Sequence, residues 1–192
     1  MVLVHNRPAE KQFVQEGYGL ARHEILQNDF ILVGPSNDPA RLQGRPIFEA
    51  MRALFAKKTF FVSRGDDSGT HLKEQELWAA AGLKPSGNWY LSVGKGMAET
   101  LLMADVLGAY TLTDRGTYAA MKPKLQLRPL VAGDPILLNT YTAIIVNPRR
   151  HPKVNYEAAV EFLRFLISSY GQKLIGEYAV NGEKLFRRLK GD

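Results

Sequence analysis

The stretch from Phe61 to Trp78, FVSRGDDSGTHLKEQELW, passes from an apolar run through small and polar residues into a helix. Ser68, Gly69 and Thr70 open that helix, where backbone N–H groups have no intrahelical partner and the helix dipole is positive. Arg64 adds a planar guanidinium whose donors match the geometry of an oxyanion. This arrangement predicts a site that holds a small anion through hydrogen bonds and charge, without protonating it or reacting with it.

The same stretch also contains two acids, which oppose an anion by charge. A carboxylate near an anion costs free energy unless it faces a cation or a proton, so we expect Asp66 and Asp67 to form the turn and to orient Arg64. Ser63 ends the strand and completes the predicted set. The predicted ligand-binding residues are Ser63, Arg64, Ser68, Gly69 and Thr70.

A purely structural interpretation of these residues stays open. Ser68 or Thr70 can act as an ordinary helix N-cap with Glu74 nearby, as in many helices that bind nothing. His71 is expected at the surface of the first turn rather than as a base. A serine, a histidine and an aspartate are the residue types of a hydrolytic triad, but their spacing here does not match a nucleophile elbow. We therefore predict no catalytic residue.

Residues outside this stretch could reach the same ligand. The segment Thr113–Arg115 follows a strand, where it could contact the ligand or form a structural salt bridge. The GKGM string could bring a second helix start toward the ligand, but it lacks the third glycine and the acid of a dinucleotide fingerprint. Tyr141 could line a hinge, with packing as the alternative. These further candidates are Thr113, Asp114, Arg115, Gly96, Lys95 and Tyr141.

Composition limits the possible partners. The chain has 192 residues, 45% hydrophobic content, a net charge of +6 and a pI near 9.5, which favours anionic partners. The basic residues are scattered among acids, and the local clusters NPRRH and RLKGD are expected to be solvated surface, so no nucleic-acid face is predicted. Cysteine is absent, which excludes disulfides and thiolate metal sites, and we predict no metal and no cofactor. No run is long enough for membrane insertion, and MVLVHNRP does not resemble a signal peptide.

Strands alternating with helices predict an α/β chain with largely parallel sheets. The apolar strands DFILVGP and TAIIVNP both end in proline and bracket about half of the chain. If both belong to one sheet, the segment between them is an inserted second lobe. We predict a discontinuous first lobe from residues 1–35 and 140–192, and a second lobe from residues 36–139. Two crossings between lobes predict a hinge with a ligand cleft.

Several strings together resemble the tungstate-binding proteins of bacterial ABC importers, within the periplasmic oxyanion-binding proteins of type II. They are SRGDDSGTH, NDFILVGP, GKGM, AYTLTDRGTY and NYEAAVEFLRFL, which cover almost the whole chain. The resemblance implies two α/β lobes that close over a buried tetrahedral oxyanion, with Arg64 as a ligand contact and no reaction catalysed. It also implies tungstate or molybdate as ligand, an importer permease as partner, and a periplasmic or lipid-tethered extracellular location.

The chain also departs from that family. Relatives begin with a signal peptide, followed by a threonine- and serine-rich loop at the first helix that donates to the anion. We expect that loop, the first strand and the first helix to be absent here, which would leave the first lobe incomplete at its N-terminus and weaken binding. Two alternatives stay open: a cytoplasmic oxyanion-sensing domain of the same fold, and a shortened form with weakened binding.

Overall fold

The computed structural model describes residues 1–188 of the chain, and its contacts divide the chain into two compact units. Unit 1 comprises Met1–Asn28 and Asn139–Asp192, and unit 2 comprises Asp29–Leu138. The first change from unit 1 to unit 2 lies inside a strand, at Asn28–Asp29. The predicted lobe bounds, after residues 35 and 139, stay a prediction. Residues 189–192 lie outside the described residues. They include the end of the predicted first lobe and most of the RLKGD cluster.

Strands and helices alternate along most of the chain. In chain order, the elements are β1 (Val2–Val4), α1 (Arg7–Gln15), β2 (Gly19–Gly34), α2 (Ile47–Lys57), β3 (Phe61–Ser63), α3 (Gly69–Ala80), β4 (Tyr90–Ser92), α4 (Met97–Leu107), β5 (Thr111–Asp114), α5 (Arg115–Met121), β6 (Arg128–Val131), β7 (Leu138–Val146), α6 (Tyr156–Ile167), α7 (Ser169–Glu177), β8 (Ala179–Val180) and β9 (Glu183–Lys184). Short 3-10 helices lie at Lys122–Lys124 and Pro135–Leu137. None of the helices within residues 1–188 is both long and apolar enough to span a bilayer.

Unit 1 packs its helices on a sheet in the order β1-β7-β2. β1 pairs antiparallel with β7, from Val2 opposite Ile144 to Val4 opposite Thr142. The core of this unit is formed by Ile25, Ala143, Ile145, Leu163 and Leu166.

The break between α6 and α7 lies at Ser168, which is the C-cap of α6 and the N-cap of α7. Ser168 has an extended backbone, and its hydroxyl donates to Phe165 O at 2.7 Å while accepting from Gly171 N at 3.0 Å. Gly171 lies inside α7. A residue with a Cβ could not fit at this position, because the Cβ would meet Phe165 O at 2.0 Å. The glycine therefore permits a close approach between the helices and does not end one.

In unit 2, the Asp29 end of β2 pairs antiparallel with β5, and its Gly34 end also pairs with β6. β3 pairs parallel with β4, and Phe61 forms a further parallel bridge to Tyr110, directly before β5. The expectation of largely parallel sheets is wrong, since β1–β7, β2–β5, β2–β6 and β8–β9 are all antiparallel. The alternation of elements reports local structure, whereas these pairings join strands that are distant in sequence.

The main apolar core of unit 2 lies around α2, α3 and the aromatic residues of the strands that pack on them. Ile47, Met51 and Leu54 face this core from α2 at helical spacing, and all three are buried. Phe55 lies on the same face of the helix and is partly buried against the core. α2 ends at Lys57, because the left-handed backbone of Lys58 (φ 48°) stops the hydrogen-bond ladder.

Leu54→Ala should destabilise the protein strongly, because Leu54 is fully buried in that core. A leucine-to-alanine change at such a position removes apolar burial and leaves a cavity, so we expect the free energy of unfolding to fall by about 2–5 kcal/mol. Urea denaturation followed by circular dichroism measures this. Leu102→Ala is the matched control, since Leu102 is 41% exposed on α4 and should cost far less. Equal losses in the two variants would contradict the assigned core.

Candidate oxyanion site

Three of the predicted segments follow the carboxyl ends of strands that run in the same direction. β3 and β4 are parallel, with Ser63 opposite Ser92, and Val62 N donates to Tyr110 O at 2.8 Å just before β5. The loops after β3, β4 and β5 therefore leave the same edge of unit 2. Ligands of open α/β sheets bind outside this edge. The structure thus brings together the segments 63–70, 93–96 and 113–115.

Arg64 lies at this edge with its charge directed along its own loop. Its Nη2 is 2.5 Å from Asp66 Oδ2, and the other oxygen of that carboxylate accepts from Ser68 N at 3.2 Å. Burial raises the pKa of Asp66, but the hydrogen bonds from Ser68 and Arg64 outweigh this and lower it. Asp66 is thus turned toward Arg64, as the sequence predicted. Among the described residues, Arg64 Nε is buried and has no hydrogen-bond partner.

The N-terminus of α3 presents donors to the same loop. Ser68 is the N-cap, and its hydroxyl oxygen accepts from His71 N at 3.3 Å, so the structural interpretation of Ser68 is correct for this atom. The hydroxyl hydrogen is not used in that bond. Within residues 1–188, no acceptor is found for the backbone N–H of Gly69 or Thr70. The first turn of α3 contains no acid, so its positive dipole end is not neutralised from within the helix.

The N-terminus of α4 differs from that of α3 because it has an acid in its first turn. Lys95 N donates to Arg64 O at 3.3 Å, which ties the GKGM loop to the arginine loop. Gly96 caps α4 without a side chain, and the Glu99 carboxylate lies so close that a Cβ on Gly96 would meet Glu99 Oε2 at 2.7 Å. Glu99 thus places a negative charge at the N-terminus of its own helix. Of the two helix starts, that of α3 is the one without an acid in its first turn.

His71 is buried, and its predicted surface position is wrong. The residue is 8% exposed, and its ring Nδ1 accepts from Asp67 N at 3.0 Å. The other ring nitrogen lies 2.8 Å from Gln75 Nε2. The hydroxyl of Ser68 faces the backbone and not the ring of His71, so the serine and histidine do not form a nucleophile–base pair.

A buried carboxyl lies one turn further along α3. Glu74 Oε1 accepts from Tyr90 OH at 2.6 Å and from Trp78 Nε1 at 3.2 Å. Burial raises the pKa of Glu74, and the Tyr90, Ser63 and Trp78 groups only partly offset this. The fully buried Ser63 hydroxyl lies near this carboxyl, although it makes no hydrogen bond of ordinary geometry with any described residue. Its ligand contact stays a prediction.

Sequence reasoning missed the role of Glu74, although a signal was present. Thr70, Glu74, Leu77, Trp78 and Ala81 are spaced as one face of a helix, and all of them are buried. An acid within an otherwise buried stripe indicates a carboxyl held by buried donors. His71 gave no such signal, because its burial depends on the fold of the preceding loop.

The segment after β5 is held by structural contacts. Arg115 forms a two-pronged ion pair with buried Asp29, at 2.6 Å from Nε to Oδ1 and 2.7 Å from Nη2 to Oδ2. Asp114 caps α5 by accepting from Thr117 N at 2.8 Å. Thr113 is fully buried, and its hydroxyl donates to the Asp114 carbonyl at 3.1 Å. These contacts correspond to the salt-bridge alternative, and a ligand contact by these residues stays a prediction.

Tyr141 belongs to unit 1. It packs against the apolar cluster around Ile25, and its ring centroid is 4.9 Å from that of His5. This is the packing role that the sequence left open. No group of three or more histidine, aspartate or glutamate side chains within residues 1–188 is arranged to hold a metal ion. The assembled chemistry is that of hydrogen-bond donors beside a guanidinium.

Residues 1–169 match the PBP superfamily domain. The chain belongs to this superfamily. It is 46% identical to the tungstate-binding protein TupA of Peptoclostridium acidaminophilum over 93% of this chain and 63% of that protein. It is 34% identical to TupA of Campylobacter jejuni over 97% of this chain and 71% of that protein. These relatives are named for binding and not for an enzymatic activity.

Solved structures extend the comparison to the fold. The tungstate-binding protein TupA of Desulfovibrio alaskensis G20 superposes with a TM-score of 0.88 at 42% identity, covering 96% of this chain and 76% of that one. The PBP-like fold predicted from the sequence is thereby confirmed. The chain spans between 56% and 71% of the length of the curated relatives that it matches.

In this PBP-family chain, Gly65→Ala should distort the loop after β3 that carries Arg64. Gly65 has a φ of +61°, and a Cβ there would meet Ser92 Oγ at 1.9 Å. We expect a loss of unfolding free energy of more than about 1 kcal/mol, measured by urea denaturation. Gly94→Ala is the matched control, because Gly94 has a φ of +60° and open space around it. Ser92→Ala should partly restore the Gly65→Ala variant, and a lack of any restoration would contradict the clash.

Glu74→Gln should change how stability depends on pH. Because burial raises the pKa of Glu74, the folded protein keeps this proton to a higher pH than the unfolded chain. The stabilising contribution is complete below the unfolded pKa, near about pH 4, and is lost as the pH rises through the folded pKa. Glutamine has no such proton to lose, and its amide oxygen still accepts from Tyr90 and Trp78.

The unfolding free energy of Glu74→Gln, relative to the unmodified protein, should therefore increase as the pH rises from about 4 to about 8. Urea denaturation at a series of pH values measures the difference. Glu161→Gln, at an exposed position on α6, controls for removal of a negative charge as such. A difference that stays constant over this range would contradict the assignment.

Proposed function

We propose that this chain captures a tetrahedral oxyanion, tungstate first and molybdate next, as the solute-binding component of an ABC-type importer. The proposal rests on two sets of donors that have no acceptor within residues 1–188: the buried Nε of Arg64, and the backbone N–H groups of Gly69 and Thr70. Donors of this kind are satisfied by an anion. The tungstate-binding relatives support the choice of ligand.

The charges around the site favour a small, multiply charged anion. Arg64 contributes a permanent charge, and Lys95 lies on the neighbouring loop. The N-terminus of α3, which has no acid in its first turn, adds a partial positive charge. A dianion gains about twice the electrostatic energy of a monoanion from the same fixed charges. We propose that Ser63, Ser68 and the groups at 113–115 serve as further contacts or supports.

Selectivity among dianions would rest on the number and spacing of donors. Tungstate and molybdate are larger than sulfate and need donors that lie further apart. Phosphate carries a proton at neutral pH and would need an acceptor, for which Asp66 and Asp67 are the candidates in this loop.

The proposed setting follows from the relatives. A solute-binding protein of this type acts outside the cytoplasmic membrane, in the periplasm or tethered to the outer face, and delivers its ligand to a permease. No reaction is catalysed in this role. A cytoplasmic sensor of the same fold is the alternative, and none of the contacts in the described part of the chain favours it.

Arg64→Ala should abolish tungstate binding. Loss of the guanidinium removes its charge-assisted hydrogen bonds, and we expect affinity to fall by at least about 100-fold. Isothermal titration calorimetry with tungstate, molybdate, sulfate and phosphate gives both the affinity and the ranking. Arg64→Lys keeps the charge but loses the planar fork, so it should bind more weakly than the unmodified protein.

Arg52→Ala is the matched control, because Arg52 is an exposed arginine on α2 of the same unit. It should bind tungstate as the unmodified protein does. If Arg64→Ala and Arg52→Ala bind tungstate equally well, the site is assigned to the wrong residues. If the unmodified chain binds none of the four anions, the proposed function is wrong for this chain.

A further inference from the structure

The imidazole of His71 holds the backbone of the loop that precedes α3. Its Nδ1 accepts from Asp67 N at 3.0 Å, and its backbone N–H donates to Ser68 Oγ at 3.3 Å. One residue thus fixes two successive positions of the loop. Because Nδ1 accepts from the Asp67 amide, the ring hydrogen lies on Nε2, which is 2.8 Å from the Gln75 side-chain amide. Nε2–H can donate only to the oxygen of that amide, so this tautomer requires Gln75 to present Oε1 to the ring.

The residue held by this bond has an unfavourable backbone. Asp67 has a φ of 56°, in the left-handed region that residues other than glycine rarely adopt. Such a conformation persists when the surroundings hold it in place. The turn at Asp67 sets the direction in which the chain enters α3, and therefore where the N–H groups of Gly69 and Thr70 point.

We propose that His71 is a positioning residue for the oxyanion site, acting through the Asp67 amide. This inference rests on the proposed function of the site. His71 does not touch the ligand in this proposal. Its neutral ring keeps the loop in the one arrangement that aligns Gly69, Thr70 and Arg64 on the same anion.

The ring holds the peptide of Asp67 more directly than its carboxylate. Nδ1 accepts from Asp67 N at 3.0 Å, whereas the nearer oxygen of the Asp67 carboxylate lies 3.4 Å from the same nitrogen.

Two substitutions separate the acceptor from the ring. In His71→Asn, the side-chain oxygen can take the place of Nδ1 and accept from Asp67 N without titrating. In His71→Gln, the amide extends toward the position of Nε2 and the acceptor beside Asp67 is lost. The two variants are otherwise matched, since both replace the ring by a neutral amide.

The experiment is calorimetric titration of the full chain with tungstate at about pH 8, together with hydrogen exchange of the Asp67 amide in the absence of anion. We expect His71→Asn to bind within about 3-fold of the unmodified protein. We expect His71→Gln to bind at least about 10-fold more weakly. The Asp67 amide should be protected in the first variant and not in the second.

Equal affinities of the two variants would overturn the inference. Their urea denaturation midpoints are compared to show that both are folded. If His71→Gln is not folded, His71→Asn decides alone, and an affinity loss of more than about 10-fold or an unprotected Asp67 amide in that variant would overturn the inference. If the unmodified chain binds no tungstate, the proposed function fails. Protection of the Asp67 amide then still decides whether His71 positions the loop, and equal protection in both variants would refute it.

Discussion

The parallel pairing of β3 with β4 is the constraint on which the candidate site depends. It brings two loops that are about thirty residues apart in sequence to the same edge, with Lys95 N donating to Arg64 O. It also forces Gly65 against Ser92, which only a glycine with a positive φ can accommodate. The site is thus built on the ends of paired strands, where loops are short and their direction is set by the sheet.

Charge at this edge is distributed unevenly. Arg115 is bound by Asp29 in a two-pronged pair, and the N-terminus of α4 faces its own Glu99. Arg64 is paired on one side only, through Nη2, and its Nε has no partner within residues 1–188. A buried donor without an acceptor costs free energy, so such an atom indicates a group that is completed by a ligand. Arg115 is the weaker candidate for a ligand contact, because its Nε and Nη2 both donate to Asp29.

Behind the loop, α3 carries two buried polar side chains that face different parts of the structure. His71 turns toward the backbone of the loop, while Glu74 turns toward Tyr90 and Trp78. Both side chains already have hydrogen-bond partners within the protein. This arrangement suits a site that must stay rigid and unreactive around a bound anion, because fixed dipoles need no reorganisation when the ligand arrives.

The sequence by itself determined the alternation of strands and helices, the superfamily and the position of the helix start at Ser68, since these depend on local patterns, capping and recognisable strings. It did not determine the strand directions, the length of β2 before Asp29, the break at Ser168, or the burial of His71. Those features depend on pairings between distant residues, such as β2 with β5, and on a loop conformation that places Asp67 N against an imidazole. Only the tertiary structure could decide them, because a hydrogen bond across a fold leaves no periodic trace in the chain.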